Sequence, residues 1–511
     1  MGEIMEKFIS VIGTLLLIGI AVLLSSNRKK ISWKLVFYGT SLQIIFAILI
    51  LKWEPGKIFF RFMNDVIIKI LDFTAEGSKF LFGSLITDIP NLGYIFAFQV
   101  LPTIIFFSSF MTVLYYLGIM QGIVKFFAII MAKTMGTSGA ESLSASANIF
   151  VGQTEAPLVI KPYINKMTIS ELMAVMTGGM ATVAGGVMAG YVGMLKDVFP
   201  DIAGHLLAAS IMSAPAALVM AKIMIPETQT PETAGDIKMN LEIPDVNVID
   251  AAARGAGEGM QLAINVAAML LAFIALIAMI NHVLISVGDG FNWLVGKQPT
   301  IILAENNFNN QQAKLLVGKT ITINLEKGQY GALKQQIFQA QITGINGNKI
   351  IMNSKLYAPS QKGLSYSIID QDGKIMSVGK AKFGGALKLS MEIIFGFFLA
   401  PVAWIMGVPW KDAHIIGSLL GEKTVINEFV AYSHLGQLLH HASIHLAERS
   451  KVIVAYALCG FANFSSIAIQ IGGIGGIAPN RRHDLAKLGI KSMIAGTLAA
   501  FMTATIAGIL I

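Results

Sequence analysis

The feature that most constrains this chain is a series of apolar runs at 8–26, 35–51, 94–120, 172–195, 206–225, 259–287, 452–477 and 488–511. Crossing a bilayer as a helix takes about 20 such residues. In hydrocarbon every backbone N–H and C=O needs a partner within the protein, so runs of this length become helices. The expected fold is therefore an all-α polytopic membrane protein with about eight transmembrane helices. Charge usage agrees, at 13% of residues with a mean hydropathy of +0.67, against roughly 25% charged in soluble domains.

Orientation follows from the basic loops. The cluster NRKK comes after the first apolar run, which argues against a cleavable signal peptide. By the positive-inside bias residues 27–34 face the cytoplasm, and counting onward places Arg481, Arg482, Lys487 and Lys491 there too. Both termini are then expected outside.

Two stretches interrupt the membrane pattern. Residues 226–258 are rich in Pro, Thr and acids and read as a cytoplasmic linker. Residues 298–382 are polar and hold ten of the lysines against Glu305, Glu326, Asp370 and Asp372, so most of the net charge of +8 lies there. Asn346-Gly347 and Asp372-Gly373 sit between strand-like runs and predict hairpins. That segment is expected to be a small β-rich insertion on the extracytoplasmic side, and the basicity calls for no nucleic-acid partner. The single cysteine, Cys459, permits no disulfide framework.

The remaining segments divide as 1–120, N-terminal scaffold helices; 121–225, a first repeat; 259–297, a scaffold span; and 383–511, a second repeat. Each repeat has the same order: a short interfacial helix (122–135, 387–410), an interrupted hairpin (SASANIFVGQTEAPLVIKPY, GSLLGEKTVINEFVAYSHL), and a span broken by small residues (GGMATVAGGVMAG, CGFANFSSIAIQIGGIGG). The topology count opens the first re-entrant hairpin inward and the second outward. Inverted repeats of this kind place substrate and ion sites at broken helices near the midplane.

A carboxylate at membrane depth costs a few kcal/mol or more, which makes Glu155 and Glu428, at matching places in the two halves, functional candidates. The competing expectation pairs them with Lys161 and Lys423. Around them Gln153, Thr154, Asn463, Ser465 and Ser466 offer donors and acceptors, and Phe461 or Phe464 an aromatic face, as a polar, mostly uncharged solute requires. A sugar joined to a base would satisfy both carboxylates. Asn148 and Thr182 are well typed as oxygen ligands for a small monovalent cation. His441 and His445 have the spacing of a helical metal pair, but HExxH is absent, and so is GxxxxGK[ST]; neither hydrolysis nor ATP-driven transport is expected.

GQTEAPLVIKPY, GEKTVINEFVAY and CGFANFSS, in this order and spacing, resemble the concentrative nucleoside transporters over about 400 residues. The resemblance implies a non-enzymatic nucleoside importer of the bacterial inner membrane, a homotrimer in which part of each protomer moves like an elevator. It implies that Gln153, Thr154, Glu155 and Val187 face the nucleobase and that Glu428, Asn463, Ser466 and Phe461 bind the ribose. Asn148 and Thr182, with the carbonyls of Val151 and Val183, would hold sodium as the coupling ion, with no other cofactor. The 298–382 insertion departs from the family pattern. Two alternatives stay open: a proton-coupled nucleoside or nucleobase symporter, and a membrane receptor whose exported domain senses a ligand.

Overall fold

The computed structural model describes residues 2–88, 95–235, 245–294, 300–303, 320–324, 337–346, 349–353, 364–369, 375–384, 389–440 and 445–511. The helices are α1 (Gly2–Leu23), α2 (Trp33–Leu51), α3 (Glu54–Phe82), α4 (Leu101–Tyr116), α5 (Ile119–Met135), α6 (Gly139–Ala147), α7 (Ile169–Ala181), α8 (Gly185–Leu195), α9 (Ile202–Met224) and α10 (Val248–Leu294). After the insertion come α11 (Met391–Ile405), α12 (Trp410–Val425), α13 (Glu428–His440), α14 (Glu448–Leu458), α15 (Phe464–Ile477) and α16 (Arg482–Leu510). Seven helical stretches among the described residues are long and apolar enough to span, with α7 and α8 counted together.

Two expected spans are broken. The 172–195 run is divided at 182–184 into α7 and α8, and the 452–477 run at 459–463 into α14 and α15. Gly460 explains how the breaks meet: its φ is +121°, and a Cβ there would lie 2.8 Å from the backbone of Met180 and Ala181. Only glycine fits both the conformation and the approach.

Other differences have simple causes. α3 is a 29-residue helix with one buried stripe, Ile67, Leu71, Thr74 and Ser78 among it, and its interspersed charges hide it from a search for apolar runs. α10 has 47 residues, about 70 Å at the helical rise, and absorbs the end of the expected linker. The segments expected at the membrane interface form α5 and α11, and α11 meets α12 at a 117° bend.

The core is built on α7, α9 and α16, which pack on one another; α9 is buried along nearly its whole length. α1 packs on α16, and α2 on α9, whereas α4 packs on α10 and on α8. Hairpin 1 begins with α6 and hairpin 2 is α12 with α13. At the base of hairpin 1 the buried Lys222 pairs with Glu141 at 2.7 Å and donates to Ser170 at 3.0 Å.

One face of the bundle gathers the 27–34 loop, the linker, the base of hairpin 1 and the loop before α16. The ties are Ser26 N to Met224 O (2.9 Å), Ser170 Oγ to Ile225 O (2.7 Å), Lys166 to Glu232 (2.9 Å) and Arg481 Nη1 to Met167 O (2.6 Å). The two basic loops thus share one face, as counted from sequence. On the first of them, Arg28 donates to Val22 O and Leu23 O and caps the carbonyl end of α1.

The insertion forms a closed antiparallel barrel, in the order β1-β4-β3-β2-β5-β6, from β1 (Thr300–Leu303), β2 (Thr320–Asn324), β3 (Ile337–Asn346), β4 (Lys349–Asn353), β5 (Leu364–Ile369) and β6 (Ile375–Gly384). Both expected hairpins form: Asn346 pairs with Lys349 and Ile369 with Ile375, while the turn residues Gly347, Asp372 and Gly373 lie outside the described residues. The first and last strands are neighbours, with Thr300 opposite Gly384. The chain then returns to α10, where Asn281 Oδ1 accepts from Met391 N (2.8 Å) and Asn281 Nδ2 donates to Glu392 (3.0 Å).

Gly460→Ala is expected to lower stability by about 1–3 kcal/mol, because it strains the backbone and pushes the two breaks apart. Gly472→Ala, with open space around its Cβ, is expected to leave stability unchanged or slightly raised. Melting of the two purified variants against the parent chain decides it.

Candidate functional site

Hairpin 1, hairpin 2 and the two broken helices converge on one buried polar network. Glu428 opens α13 and is buried; it accepts hydrogen bonds from Tyr191 OH and from Asn463 Nδ2, both at 2.9 Å. Asn463 is the N-cap of α15, its Oδ1 accepting from Ser466 N (2.9 Å) and Ser465 Oγ (2.7 Å). Ser466 Oγ in turn accepts from Gln153 Nε2 at 3.1 Å. Five residues from four segments thus form one chain of hydrogen bonds, Gln153–Ser466–Asn463–Glu428–Tyr191, the Ser466–Asn463 link running through the Ser466 main-chain N–H.

Each position has a local reason. The tip of hairpin 1 lies on Gly179, where a Cβ would meet Gln153 Cβ and Gln470 Nε2 at 2.7 Å. Thr154 rests on Gly473. Tyr191 is held by stacking on Tyr432, with centroids 4.4 Å apart. Val187 lies one turn before Tyr191 on α8 and is buried, as is Phe461 beside the break.

Two residues of this region were not foreseen from sequence, Tyr191 in the network and Gln470 beside it. Tyr191 stands four residues after Val187, and this helical spacing was the available signal. Gln470 lies within a Gly- and Ile-rich run; its Nε2 donates to Met176 O (3.0 Å), while its Oε1 and that of Gln153 are buried without a partner. Buried acceptors left open in this way mark a place where a ligand's donors belong.

The expected cation residues also come together. Asn148 ends α6, and its Nδ2 donates to Ser144 O (3.0 Å), leaving Oδ1 buried and unpartnered. It lies against Gly178 of α7, 3.1 Å from where a Cβ would be. Thr182 closes α7, its Oγ1 donating to Gly178 O at 2.9 Å. Gly185 N donates to Phe150 O (2.9 Å), stitching the hairpin tip, with Val151, to the break that carries Val183. Oxygen donors of this kind are the ligand type a small hard cation takes.

The two carboxylates do not share a surroundings. Glu155 is exposed to a cavity of about 780 Å³ between hairpin 1 and the α4–α10 pair, together with Thr154 and Val151. The lysine pairings that sequence left open are not formed. Lys423 is buried and donates to Ala457 O (2.8 Å), capping the end of α14, where a lysine meets free carbonyls. Lys161 lines the same cavity as Glu155 without an ion pair to it. His441 lies outside the described residues, and among those described no group of three or more His, Cys, Asp or Glu is placed to hold a metal ion.

Comparison with known proteins bears on all of this. Family models described as "Na+ dependent nucleoside transporter" match at residues 12–85 (N-terminus) and at 205–309 and 371–508 (C-terminus), and a "Nucleoside recognition" gate model matches 97–198. Residues 310–370, inside the barrel insertion, fall between the two C-terminal matches. An "Uncharacterized transporter" of Haemophilus influenzae is 40% identical over 99% of this chain and 98% of its own length. "Sodium/nucleoside cotransporter 1" of Rattus norvegicus is 33% identical over 99% of this chain and 64% of that protein. The solved "Structure of CNTnw in an inward-facing substrate-bound state" superposes with a TM-score of 0.75 at 38% identity, covering 99% of this chain and 98% of that one. With family models, relatives and a solved structure matched over nearly the whole chain, this chain belongs to the concentrative, Na+-dependent nucleoside transporter family.

Proposed function

We propose that the protein imports nucleosides by symport with sodium across the inner membrane of a bacterium, as a homotrimer. The observation that carries this reading is the hydrogen-bonded chain from Gln153 to Tyr191, which joins both hairpins and both helix breaks in one buried place. Gln153, Thr154, Glu155 and Val187 take the base; Glu428, Asn463, Ser466 and Phe461 take the ribose. A substrate inserted there replaces the Gln153–Ser466 bond with its own donors and acceptors, at little net cost in hydrogen bonding. Both hairpins then hold a single molecule.

Asn148, Thr182 and the carbonyls of Val151 and Val183 hold the sodium ion. Coupling follows because Asn148 and Gln153 lie on one hairpin tip, so ordering that tip around the ion sets the base contacts. A ~100 mV potential contributes roughly 2.3 kcal/mol per charge, and a tenfold sodium gradient about 1.4 kcal/mol. Together they sustain accumulation of a neutral solute by roughly several hundredfold.

Motion in this reading is an elevator step of the hairpin-bearing body past α4 and α10. Sequence placed all of residues 1–120 in the fixed part. The packing of α1 and α2 on α9 and α16 supports counting those two helices with the moving body, with the paired α4 and α10 as scaffold. The basic face is cytoplasmic, which puts both termini and the barrel outside.

Uptake of labelled uridine into proteoliposomes under an imposed sodium gradient tests the assignment; no gradient-driven uptake of any nucleoside would sink it. Tyr191→Phe is expected to raise the uridine KM about tenfold, for a lost hydrogen bond to a carboxylate of about 1.5–3 kcal/mol. Thr182→Ala is expected to abolish the sodium dependence of uptake and Thr182→Ser to retain it; sodium titrations of the two variants that coincide with the parent would refute the ion site. Excision of 298–382 behind a short linker is expected to preserve uptake, whereas a receptor reading requires that function be lost.

A further inference from the structure

The cavity beside Glu155 extends well beyond the residues assigned to the substrate. One wall is hairpin 1, with Thr154, Glu155 and Leu158; the other is α4 and the start of α10, with Tyr115, Arg254 and Glu258. Gln153, Val187, Glu428, Asn463 and Ser466 do not line it. Its volume of about 780 Å³ lies within the range of small-molecule sites, and it reaches Asp245 at the face of the linker.

Arg254 is fixed there from two directions. Its Nε and Nη2 donate to the two carboxylate oxygens of Asp245 at 2.7 and 2.8 Å, and its Nη1 to Glu258 Oε1 at 2.7 Å. Three of the five guanidinium N–H groups are engaged, which fixes its plane, and its flat face is a surface on which planar rings stack. Tyr115 supplies an aromatic ring as a second planar surface, and its OH is buried without a partner. Glu258 retains acceptor capacity for N–H or hydroxyl donors. Two stacking surfaces and a carboxylate match a nucleobase more closely than a sugar or an inorganic ion.

We propose that this cavity is a release subsite for nucleoside at the linker face, with Tyr115 and Arg254 stacking on the base and Glu258 accepting from it. The proposal rests on the reading of nucleoside as substrate. A molecule dissociating from Gln153 and Asn463 is caught there before it leaves, which lowers the concentration at which the linker side saturates. The opposite side is reached without passing Tyr115 or Arg254. The subsite is therefore felt from one side only.

The experiment measures uridine KM and Vmax from each side, in oriented vesicles holding the full chain with equal sodium inside and out. Tyr115→Leu, Arg254→Lys and Glu258→Gln are each expected to raise KM on the linker side about three- to tenfold and to leave the other side within about twofold. Vmax from the linker side must rise in step, because equilibrium fixes the ratio of Vmax/KM in the two directions. Equal shifts from both sides in the three variants, or no shift from either, overturn the subsite while leaving nucleoside transport standing. A parent chain that moves no nucleoside in either direction overturns the substrate reading, and the subsite with it.

Discussion

Two membrane helices broken in mid-course leave main-chain groups with no water to turn to, and each such group must find a partner inside the protein. Gly185 N finds Phe150 O on hairpin 1, and Ser466 N finds the Asn463 side chain. Carbonyls at the end of α14 are met from hairpin 2, Ala457 O by Lys423 (2.8 Å) and Ala455 O by Tyr432 OH (2.6 Å). The hairpins are thus required by the breaks as much as by any substrate. Gly460 adds that the two breaks touch, so satisfying one positions the other. Site and fold are largely the same set of bonds.

The doubled pattern of interfacial helix, hairpin and broken span was legible because polar residues in an apolar run are costly and so conspicuous. Glu155 and Glu428, Asn148, Thr182, Gln153, Asn463 and Ser466 all announced themselves in that way, and the motifs around them carried the family resemblance. The breaks at 182–184 and 459–463 were legible only as glycine-rich texture, since hydropathy reports side chains and a break is a main-chain event. α3 was hidden for the opposite reason: it buries one stripe and leaves its charges outside, so no long run forms. Tyr191 was obscured by its type, because an aromatic ring in a span is ordinarily packing and only the partner at 2.9 Å marks it otherwise.

The base of hairpin 1 shows how such an element stays in place without becoming rigid at its tip. Lys222, Glu141, Ser170 and Glu227 form a buried cluster tying α6, α7, α9 and the start of the linker, with Thr168 Oγ1 donating to Glu227 at 2.8 Å. Removing one partner from such a cluster leaves a buried charge uncompensated, a strong penalty that concentrates order at the base. The tip rests on Gly179 of α7 and Gly473 of α15 and is held by single hydrogen bonds, which exchange readily for those of a ligand.

The barrel between α10 and α11 enters and leaves through adjacent strands, Thr300 beside Gly384, and the chain is then clasped to α10 by Asn281. A module whose two ends lie side by side can be added to a host without prying its helices apart, the geometry that makes domain insertion tolerable. This junction is therefore a natural graft point: a compact appendage can be gained or shed there while the helical body evolves separately, and a protein engineer can seat a fluorescent reporter at the same joint.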